Sequence, residues 1–206
     1  RDNYAKFIAA LDKKYPTDDM GQIEFYLKQA VTADPQHDNY SISQEAHIGK
    51  MLEKHDMSRC NPAPLPFENG HMHDILRQGR SAPENANDPA TDSTEYRSIL
   101  GGLNFPAVMT RPDIANTVSV LQRFQQSPRH SHLNAARQVQ RYLQGTRSYG
   151  LCYTGGAVQL SASVDSSWGD GVDAAESQFG WVVMLCGAPV SWKSGLQRCT
   201  ATSSTE

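Results

Sequence analysis

Helical and strand patterns occupy separate blocks of this chain. Apolar residues recur at helical spacing in some segments and alternate in others. From about residue 61 to residue 94 the sequence is rich in Pro, Asn, Asp, Gly and Ser and poor in apolar residues. Such a stretch indicates a linker or a long wrapped loop. Helices and strands that are grouped in this way predict an α+β fold.

The block before the linker predicts a helix, a β-hairpin and a second helix. Tyr4, Phe7, Ile8 and Leu11 share one face of a helix over residues 1–15. The predicted elements that follow are a strand over 22–34, a turn over 35–39, a strand over 40–44 and a helix over 45–57 capped by Ser43. The predicted apolar face of that second helix is made of Ile48, Met51, Leu52 and His55.

The block after the linker changes from helical to alternating spacing after Ser148. Pro112 lies at a first-turn position, where its missing N–H is harmless, and Gly145 is a natural end for the last helix. The helical patterns cover 93–109, 110–124 and 131–146, and the strand patterns cover 150–154, 158–168, 178–186 and 189–194. The sequence "CGAP" predicts the turn of a hairpin between the last two strands.

Charge is distributed unevenly. The 206 residues carry a net charge of -3, which does not suggest a general nucleic-acid binder. Between residues 111 and 147, however, there are six arginines and one acidic residue. Arg137 and Arg141 lie four apart on one helix face, so this segment either contacts a phosphate backbone or is a solvated helix surface.

Two features predict an intracellular location, in the cytoplasm or the nucleus. The four cysteines are far apart and form no C-x-x-C, which favours reduced thiols over a disulfide framework. The chain begins at Arg1 without an apolar segment, so we expect neither a signal peptide nor a membrane span. A start without Met suggests an excerpt of a longer chain or a processed product.

Asp165 is the residue with the clearest chemical potential. It lies in an apolar strand within "SASVDSSWGDG", where a carboxylate is expensive unless it binds a cation. Mg²⁺ is one candidate because it prefers hard oxygen ligands. Two-metal phosphodiester hydrolysis needs several carboxylates close together, so Asp165 alone predicts no more than a strand-end aspartate.

The chain resembles the Pol polyproteins of copia-type LTR retrotransposons. The resemblance is carried by "YRSILGGLNF", "TRPDIANTVSVLQRF" and "AARQVQRYLQGT", by "VDSSWGD" and "PVSWKS", and by "GQIEFYLKQAV" and "YSISQEAHIGKML". Identity and spacing agree together over nearly the whole chain except the linker, which makes the signal specific. The resemblance implies RNA-directed DNA synthesis and cleavage of RNA in RNA–DNA hybrids as the activities of the parent protein.

The resemblance also implies a division of the chain. Residues 1–67 would be the end of a reverse transcriptase, with a hairpin and a thumb-like helix, and 68–94 a linker. Residues 95–147 would form connecting helices, and 148–206 the first half of a ribonuclease H-like domain with a mixed sheet. The expected fold is therefore a helix–hairpin–helix remnant, a helical connection and a partial ribonuclease H sheet.

Few functional residues carry over from the family. Asp165 matches its first catalytic aspartate, a Mg²⁺ ligand, whereas Ser167 replaces the second acid. The Y-V-D-D polymerase motif does not occur in this sequence, and Glu206 matches a glutamate two positions before the family's catalytic one. Lys28 replaces a family glycine in the hairpin that grips the primer. We expect Mg²⁺ as the cofactor of the parent family and none in this chain alone.

Three functions follow as alternatives. The first is an excerpt or relic of a copia-type Pol that has neither activity alone. The second is a non-enzymatic interaction or regulatory protein derived from such an element. The third is a binder of RNA–DNA hybrid or other nucleic acid through residues 111–147, with Arg123, Arg137, Arg141 and Arg147 as contacts. Half a sheet leaves an open edge, so we also expect self-association or another bound protein chain, and no membrane contact.

Overall fold

The computed structural model describes residues 2–34, 36, 38–67, 75, 88–167 and 177–197. In these ranges the chain is an α+β protein with two antiparallel sheets, which confirms the predicted class. The helices are α1 Asp2–Asp12, α2 Glu45–Lys54, α3 Ser93–Met109, α4 Ala115–Leu121 and α5 His130–Gly145. Short 3₁₀ turns flank α4 at Pro112–Ile114 and Gln122–Phe124.

The seven strands of the described residues form a four-stranded sheet in the order β1-β2-β3-β4 and a three-stranded sheet in the order β5-β6-β7. Their bounds are β1 Phe25–Tyr26, β2 Gln29–Asp34, β3 Asn39–Ser43, β4 Gly150–Tyr153, β5 Leu160–Ser167, β6 Gln178–Leu185 and β7 Ala188–Leu196. Every named pair of described strands is antiparallel. The mixed sheet of a ribonuclease H-like domain stays a prediction.

The strand predicted over 22–34 is interrupted. Leu27 and Lys28 have φ values of 49° and 64° and form a two-residue turn between β1 and β2, where Tyr26 pairs with Gln29. Left-handed backbone at two successive residues is the geometry of a type I′ hairpin, which favours glycine. A glycine would adopt this backbone without strain, whereas Lys28 adopts it at a cost of about 1 kcal/mol.

Two predicted helix ends differ in detail from the structure. The residue that precedes α2 is Gln44 rather than Ser43, and its side chain accepts a bond from Thr110 Oγ1 at 2.8 Å instead of capping the helix. Helix α5 ends at Gly145, but the cap residue is Thr146. A Cβ on Gly145 would lie 2.9 Å from Pro62 Cβ, so close packing on the 61–67 segment explains that glycine.

The core lies between α2, α3, α4 and α5. Their apolar stripes meet there, and each buried Leu or Ile contributes about 1.5–3 kcal/mol relative to exposure. Its largest fully buried apolar side chains are Ile48, Leu52, Tyr96, Ile99, Leu100, Leu103, Ile114, Leu121 and Leu143. Helix α1 is present as predicted, but its apolar face is not buried, since Tyr4 and Phe7 are 55% and 61% exposed.

The first sheet joins strands from distant parts of the chain. Strand β4 pairs with β3, with Ile42 opposite Leu151 and Tyr40 opposite Tyr153. A strand from the predicted 148–206 segment thus completes a sheet begun in the 1–67 segment. The four-part division itself stays a prediction.

The second sheet is attached to the helices by one face. Trp192 Nε1 donates to the Ala107 carbonyl at 2.8 Å, and Ser119 Oγ donates to the Ser194 carbonyl at 3.0 Å. The β6–β7 turn at Cys186 and Gly187 has φ values of 49° and 81°, and it confirms the hairpin predicted from "CGAP". Over the described ranges, no helix combines the length and apolar character needed to cross a bilayer.

Candidate functional site

Asp165 lies on β5, the edge strand of the second sheet, and is exposed. It pairs across the ladder with Gly180 of β6, which in turn faces Ser194 of β7. Its Oδ1 accepts a bond from the backbone N–H of Ser166 at 2.9 Å. Because this bond uses Oδ1 only, the second oxygen of the carboxylate keeps its acceptor capacity.

A shallow cavity of about 270 Å³ lies between Asp165 and the start of α4. Asn116 forms one wall and holds the sheet, since its Oδ1 accepts bonds from Gln178 Nε2 and from Ser194 Oγ. No second carboxylate lines the cavity among the described residues. Nor does the described part of the chain contain a cluster of three His, Cys, Asp or Glu side chains that would hold a metal ion.

The residues described here therefore do not fit a Mg²⁺ centre on their own. A two-metal site needs several converging carboxylates, and Asp165 supplies one. Asp170, Asp173 and Glu176, as well as the "SSTE" sequence, lie outside the described residues. Mg²⁺ binding by Asp165 remains a prediction from the family resemblance.

The four predicted nucleic-acid contacts point to four different neighbours. Arg123 donates to Gln178 Oε1, Arg137 pairs with Glu95 at 2.7 Å, and Arg141 donates to the Asn61 carbonyl. Arg147 packs against Gly49 of α2, where an added Cβ would lie 2.5 Å from its Nη2. The guanidinium groups of Arg123, Arg137 and Arg141 are thus bonded within the chain, although Arg137 is still 42% exposed. The buried Nε of Arg147 has no hydrogen-bond partner among the described residues. Nucleic-acid binding through these residues stays a prediction.

Two of the family sequence motifs meet at Arg111. The buried guanidinium makes a bidentate pair with Asp113, with bonds of 2.7–3.2 Å, and donates to the carbonyl and to Oγ1 of Thr146 at 2.8 and 2.7 Å. Tyr142 donates its hydroxyl to Asp113 Oδ2 at 2.8 Å. "TRPD" and "RYLQGT" are therefore joined in space, and their polar residues stabilise the fold.

A larger cavity, of about 660 Å³, lies where the β1–β2 turn approaches α2 and α3. We call it the basic groove. Its lining residues are Phe25, Lys28, Ala46, His47, Lys50, Met51, Lys54, His55, Arg97, Ser98, Gly101 and Gly102. Four cationic and two histidine side chains therefore surround one opening.

Sequence reasoning missed the basic groove. The available signal was the helical spacing of His47, Lys50 and Lys54, which places basic groups along one side of α2. The remaining cations, Lys28 and Arg97, come from a hairpin turn and from a helix beyond the linker. Their proximity follows only from the packing of α2 on α3.

Comparison with known proteins agrees with the sequence motifs. The chain is 31% identical over 98% of its length to the retrovirus-related Pol polyprotein from transposon TNT 1-94 of Nicotiana tabacum. It is 34% identical over 93% of its length to a putative transposon Ty5-1 protein of Saccharomyces cerevisiae. It is also 41% identical over 54% of its length to secreted RxLR effector protein 161 of Plasmopara viticola, of which it covers 79%.

The chain is therefore similar to the Pol polyproteins of copia-type retrotransposons. It spans about 15% of the tobacco polyprotein and 59% of the yeast protein. No family model matches the sequence, and no solved structure matches it.

Proposed function

We propose that this chain is the segment of a copia-type Pol that runs from the end of the reverse transcriptase into the ribonuclease H-like domain. On this proposal the segment works inside the cell, in the cytoplasm or nucleus, and alone catalyses neither polymerisation nor hybrid cleavage. The observation that carries the proposal is the setting of Asp165. It is a carboxylate at the edge of a three-stranded sheet, with no second acid among the described residues of its cavity.

The topology of the second sheet supports this assignment. Three consecutive strands are joined in sequence order, and β5 leaves one edge unpaired within the described residues. That is what the first half of a larger sheet leaves exposed. Hydrogen bonds join α3 and α4 to β7, and they support a connection that is packed against this sheet.

The inactivity of the isolated chain is tested with a labelled RNA–DNA hybrid and Mg²⁺. We expect cleavage at the background level for the wild type, for Asp165→Asn and for the matched exposed control Asp18→Asn, because one carboxylate cannot position two dications. Product is measured on a denaturing gel over several hours. Cleavage by the wild type and by Asp18→Asn that disappears in Asp165→Asn would contradict the proposal.

The proposal includes a covering partner, either a second copy or another protein chain. Leu160 and Val164 on β5 are 71% and 77% exposed. Val164 and its ladder partner Trp181 belong to the sheet face opposite the one that contacts the helices. An exposed edge strand with apolar side chains is a template for pairing with another chain.

Self-association is measured by sedimentation velocity at increasing concentration. We expect a reversible shift to a dimer or larger species in the wild type. Val164→Lys should keep the chain monomeric over the same range, while Thr32→Lys, an exposed position on β2, should not. A wild type that sediments as a monomer throughout contradicts self-association and leaves a different protein chain as the covering partner.

A second candidate is a non-enzymatic interaction or regulatory protein derived from the same family. The effector named above favours it, since a much shorter protein than a polyprotein aligns with this chain over 79% of its own length. The natural reading frame distinguishes the two candidates. A start just before Arg1 and a stop after Glu206 would favour the independent protein, and a frame continuous with polymerase and ribonuclease H motifs would favour the Pol segment.

A further inference from the structure

The two edges of the second sheet differ in how they are closed. On β7 the outer edge carries Pro189, which has no N–H to donate, and the Pro189 carbonyl accepts the hydroxyl of Tyr153 at 2.8 Å. Further along the same edge, Ser119 Oγ donates to the Ser194 carbonyl at 3.0 Å. Strand β5 forms the other edge, and among the described residues no strand lies beyond it. Pairing with another chain is therefore open to β5 and obstructed at β7.

Hydrogen bonding beside β5 indicates which of its backbone groups point outward. The N–H of Cys186, which follows β6, donates to the Gln159 carbonyl at 3.3 Å, so the backbone of Gln159 faces β6. Because the backbone groups of successive residues in an antiparallel strand point to alternate sides, the odd-numbered residues of β5 bond to β6. The even-numbered residues Leu160, Ala162 and Val164 therefore direct their N–H and C=O groups away from the sheet.

Asp165 marks the end of this open edge. Its Oδ1 accepts the outward N–H of Ser166 at 2.9 Å, so that donor is already bonded within the strand. The open edge then consists of Leu160, Ala162 and Val164, all three of them exposed. Ala162 lies in the middle, with one outward-facing residue on each side. The open edge is therefore complementary to a second copy of itself that runs in the antiparallel direction.

We propose that two copies of this chain join through β5 in antiparallel orientation, with a two-fold axis at Ala162. The inference rests on the proposed function, in which a second copy or another chain covers the open edge. Ala162 pairs with its symmetry mate, and Leu160 pairs with Val164 of the second copy. Each pair exchanges two backbone hydrogen bonds. The two three-stranded sheets thereby become one sheet of six strands.

The side chains of β5 suit this register. Leu160 and Val164 are 71% and 77% exposed, and on the sheet face opposite the helices each would contact the other's symmetry mate. The two Asp165 carboxylates would lie about 20 Å apart, because a strand rises about 3.3 Å per residue. This separation exceeds the screening length of about 8 Å at physiological salt. A register centred on Asp165 would instead place like charges opposite each other, which is destabilising.

The two-fold axis limits the assembly to a dimer. An isologous contact uses the same surface on both copies, so one pairing step consumes both open edges. The outer edge of β7 offers no second site of this kind, because Pro189 lacks an N–H and the bonds from Tyr153 and Ser119 occupy carbonyls there. We therefore expect a dimer that does not grow into fibres as the concentration rises.

A proline on the open edge tests the pairing while sparing the hydrogen bonds between β5 and β6. Ala162→Pro removes one outward N–H from each copy. Ser166→Pro is the matched control, since it removes an outward N–H that lies beyond the paired residues. In sedimentation velocity we expect a concentration-dependent dimer for the wild type and for Ser166→Pro. For Ala162→Pro we expect the dissociation constant of the dimer to rise about tenfold or more, because two hydrogen bonds are lost per dimer. Circular dichroism checks that both variants are folded.

A thiol at the two-fold axis tests the register. The background for this test has serine at the four native cysteines. There, Ala162→Cys should form a disulfide-linked dimer on oxidation, because hydrogen-bonded partners have Cα atoms about 5.5 Å apart, within the range that a disulfide spans. Ser166→Cys should stay monomeric on the gel, since its two copies would lie about 26 Å apart. Non-reducing gel electrophoresis measures both variants.

Four results would overturn the inference. A monomeric wild type, or a dimer that Ala162→Pro leaves unchanged, would show that β5 does not pair with a second copy. A dimer in which Ala162→Cys fails to cross-link would have a different register. Cross-linking of Ser166→Cys as efficiently as Ala162→Cys would indicate parallel strands. The hybrid-cleavage assay keeps this failure distinct from a failure of the proposed function, because background cleavage by a monomeric chain contradicts the dimer alone.

Discussion

Replacing Arg111 by alanine is expected to lower the free energy of unfolding by about 3 kcal/mol, as removal of one partner of a buried ion pair typically does. The Arg111 side chain is only 2% exposed, and its partner Asp113 is 34% exposed. Without the guanidinium, Asp113 loses a bidentate cation and Thr146 loses two donated bonds. The change also empties the space between Tyr142 and Tyr149, whose ring centroids lie 5.4 and 5.6 Å from the guanidinium carbon.

Two control variants separate charge from geometry. Arg111→Lys keeps the positive charge but not the planar fork, so it should recover only part of the lost stability. Arg59→Ala removes an exposed arginine, and we expect a change within about 0.5 kcal/mol. Urea denaturation followed by circular dichroism gives the free energy of unfolding of Arg111→Ala, Arg111→Lys and Arg59→Ala. If Arg111→Ala costs less than about 1 kcal/mol, within the range of exposed ion pairs, then the network does not hold the two motifs together.

The Arg111 network shows what a motif in the sequence conveys and what it does not. "TRPD" and "RYLQGT" were recognisable as motifs, yet their spacing along the chain does not reveal that Arg111 donates to Thr146, 35 positions later. The excess of arginine between residues 111 and 147 suggested a phosphate-binding surface. In the fold, Arg111 is buried, and Arg123, Arg137 and Arg141 bond to other parts of the chain.

Helices were the most predictable part of the fold. The helix over 93–109 was predicted with the bounds that the structure has, because its apolar spacing is long and regular. The strand predicted over 22–34 was wrong at Leu27 and Lys28, which form a turn. Non-glycine residues in left-handed backbone give no local sequence signal for such a turn. The pairing of β4 with β3 was not predicted either, because it joins strands more than 100 residues apart in sequence.

The two candidate sites, Asp165 and the basic groove, also differ in how far the sequence could reveal them. Asp165 was found because its motif is contiguous in the sequence. The basic groove was not found, since its cations come from a turn, from α2 and from α3, and only Lys50 and Lys54 are neighbours on one element. A site assembled from separate elements is visible only after they have packed.

The buried side chain of His132 makes the stability of the fold depend on pH. Its Nδ1 accepts the backbone N–H of Arg129 at 3.0 Å, so it serves the N-terminus of α5 as Glu or Gln does in a capping box. The ring stacks on Phe124 with centroids 4.0 Å apart and is 1% exposed. Burial is the main reason that the pKa of His132 is lowered to about 4, from an ordinary value of 6.5.

This pKa predicts a loss of stability in mild acid. The unfolded chain takes up a proton at His132 as the pH falls through 6.5, whereas the folded chain does not until the pH approaches 4. The folded state therefore loses about 2 kcal/mol relative to the unfolded state between pH 7 and pH 5. His47 and His55, whose pKa values are also lowered by burial, act in the same direction.

Comparison of variants isolates the contribution of His132. His132→Gln keeps an acceptor for the Arg129 N–H but does not titrate, so its stability should fall by about 2 kcal/mol less between pH 7 and pH 5 than that of the wild type. His130→Gln changes an exposed histidine of the same helix and should retain the wild-type dependence. Urea midpoints at both pH values provide the measurement. Equal pH dependence in wild type and His132→Gln would mean that the folded and the unfolded chain take up a proton at His132 over the same pH range. Burial against Phe124 would then not lower the pKa of His132, and the prediction would be wrong.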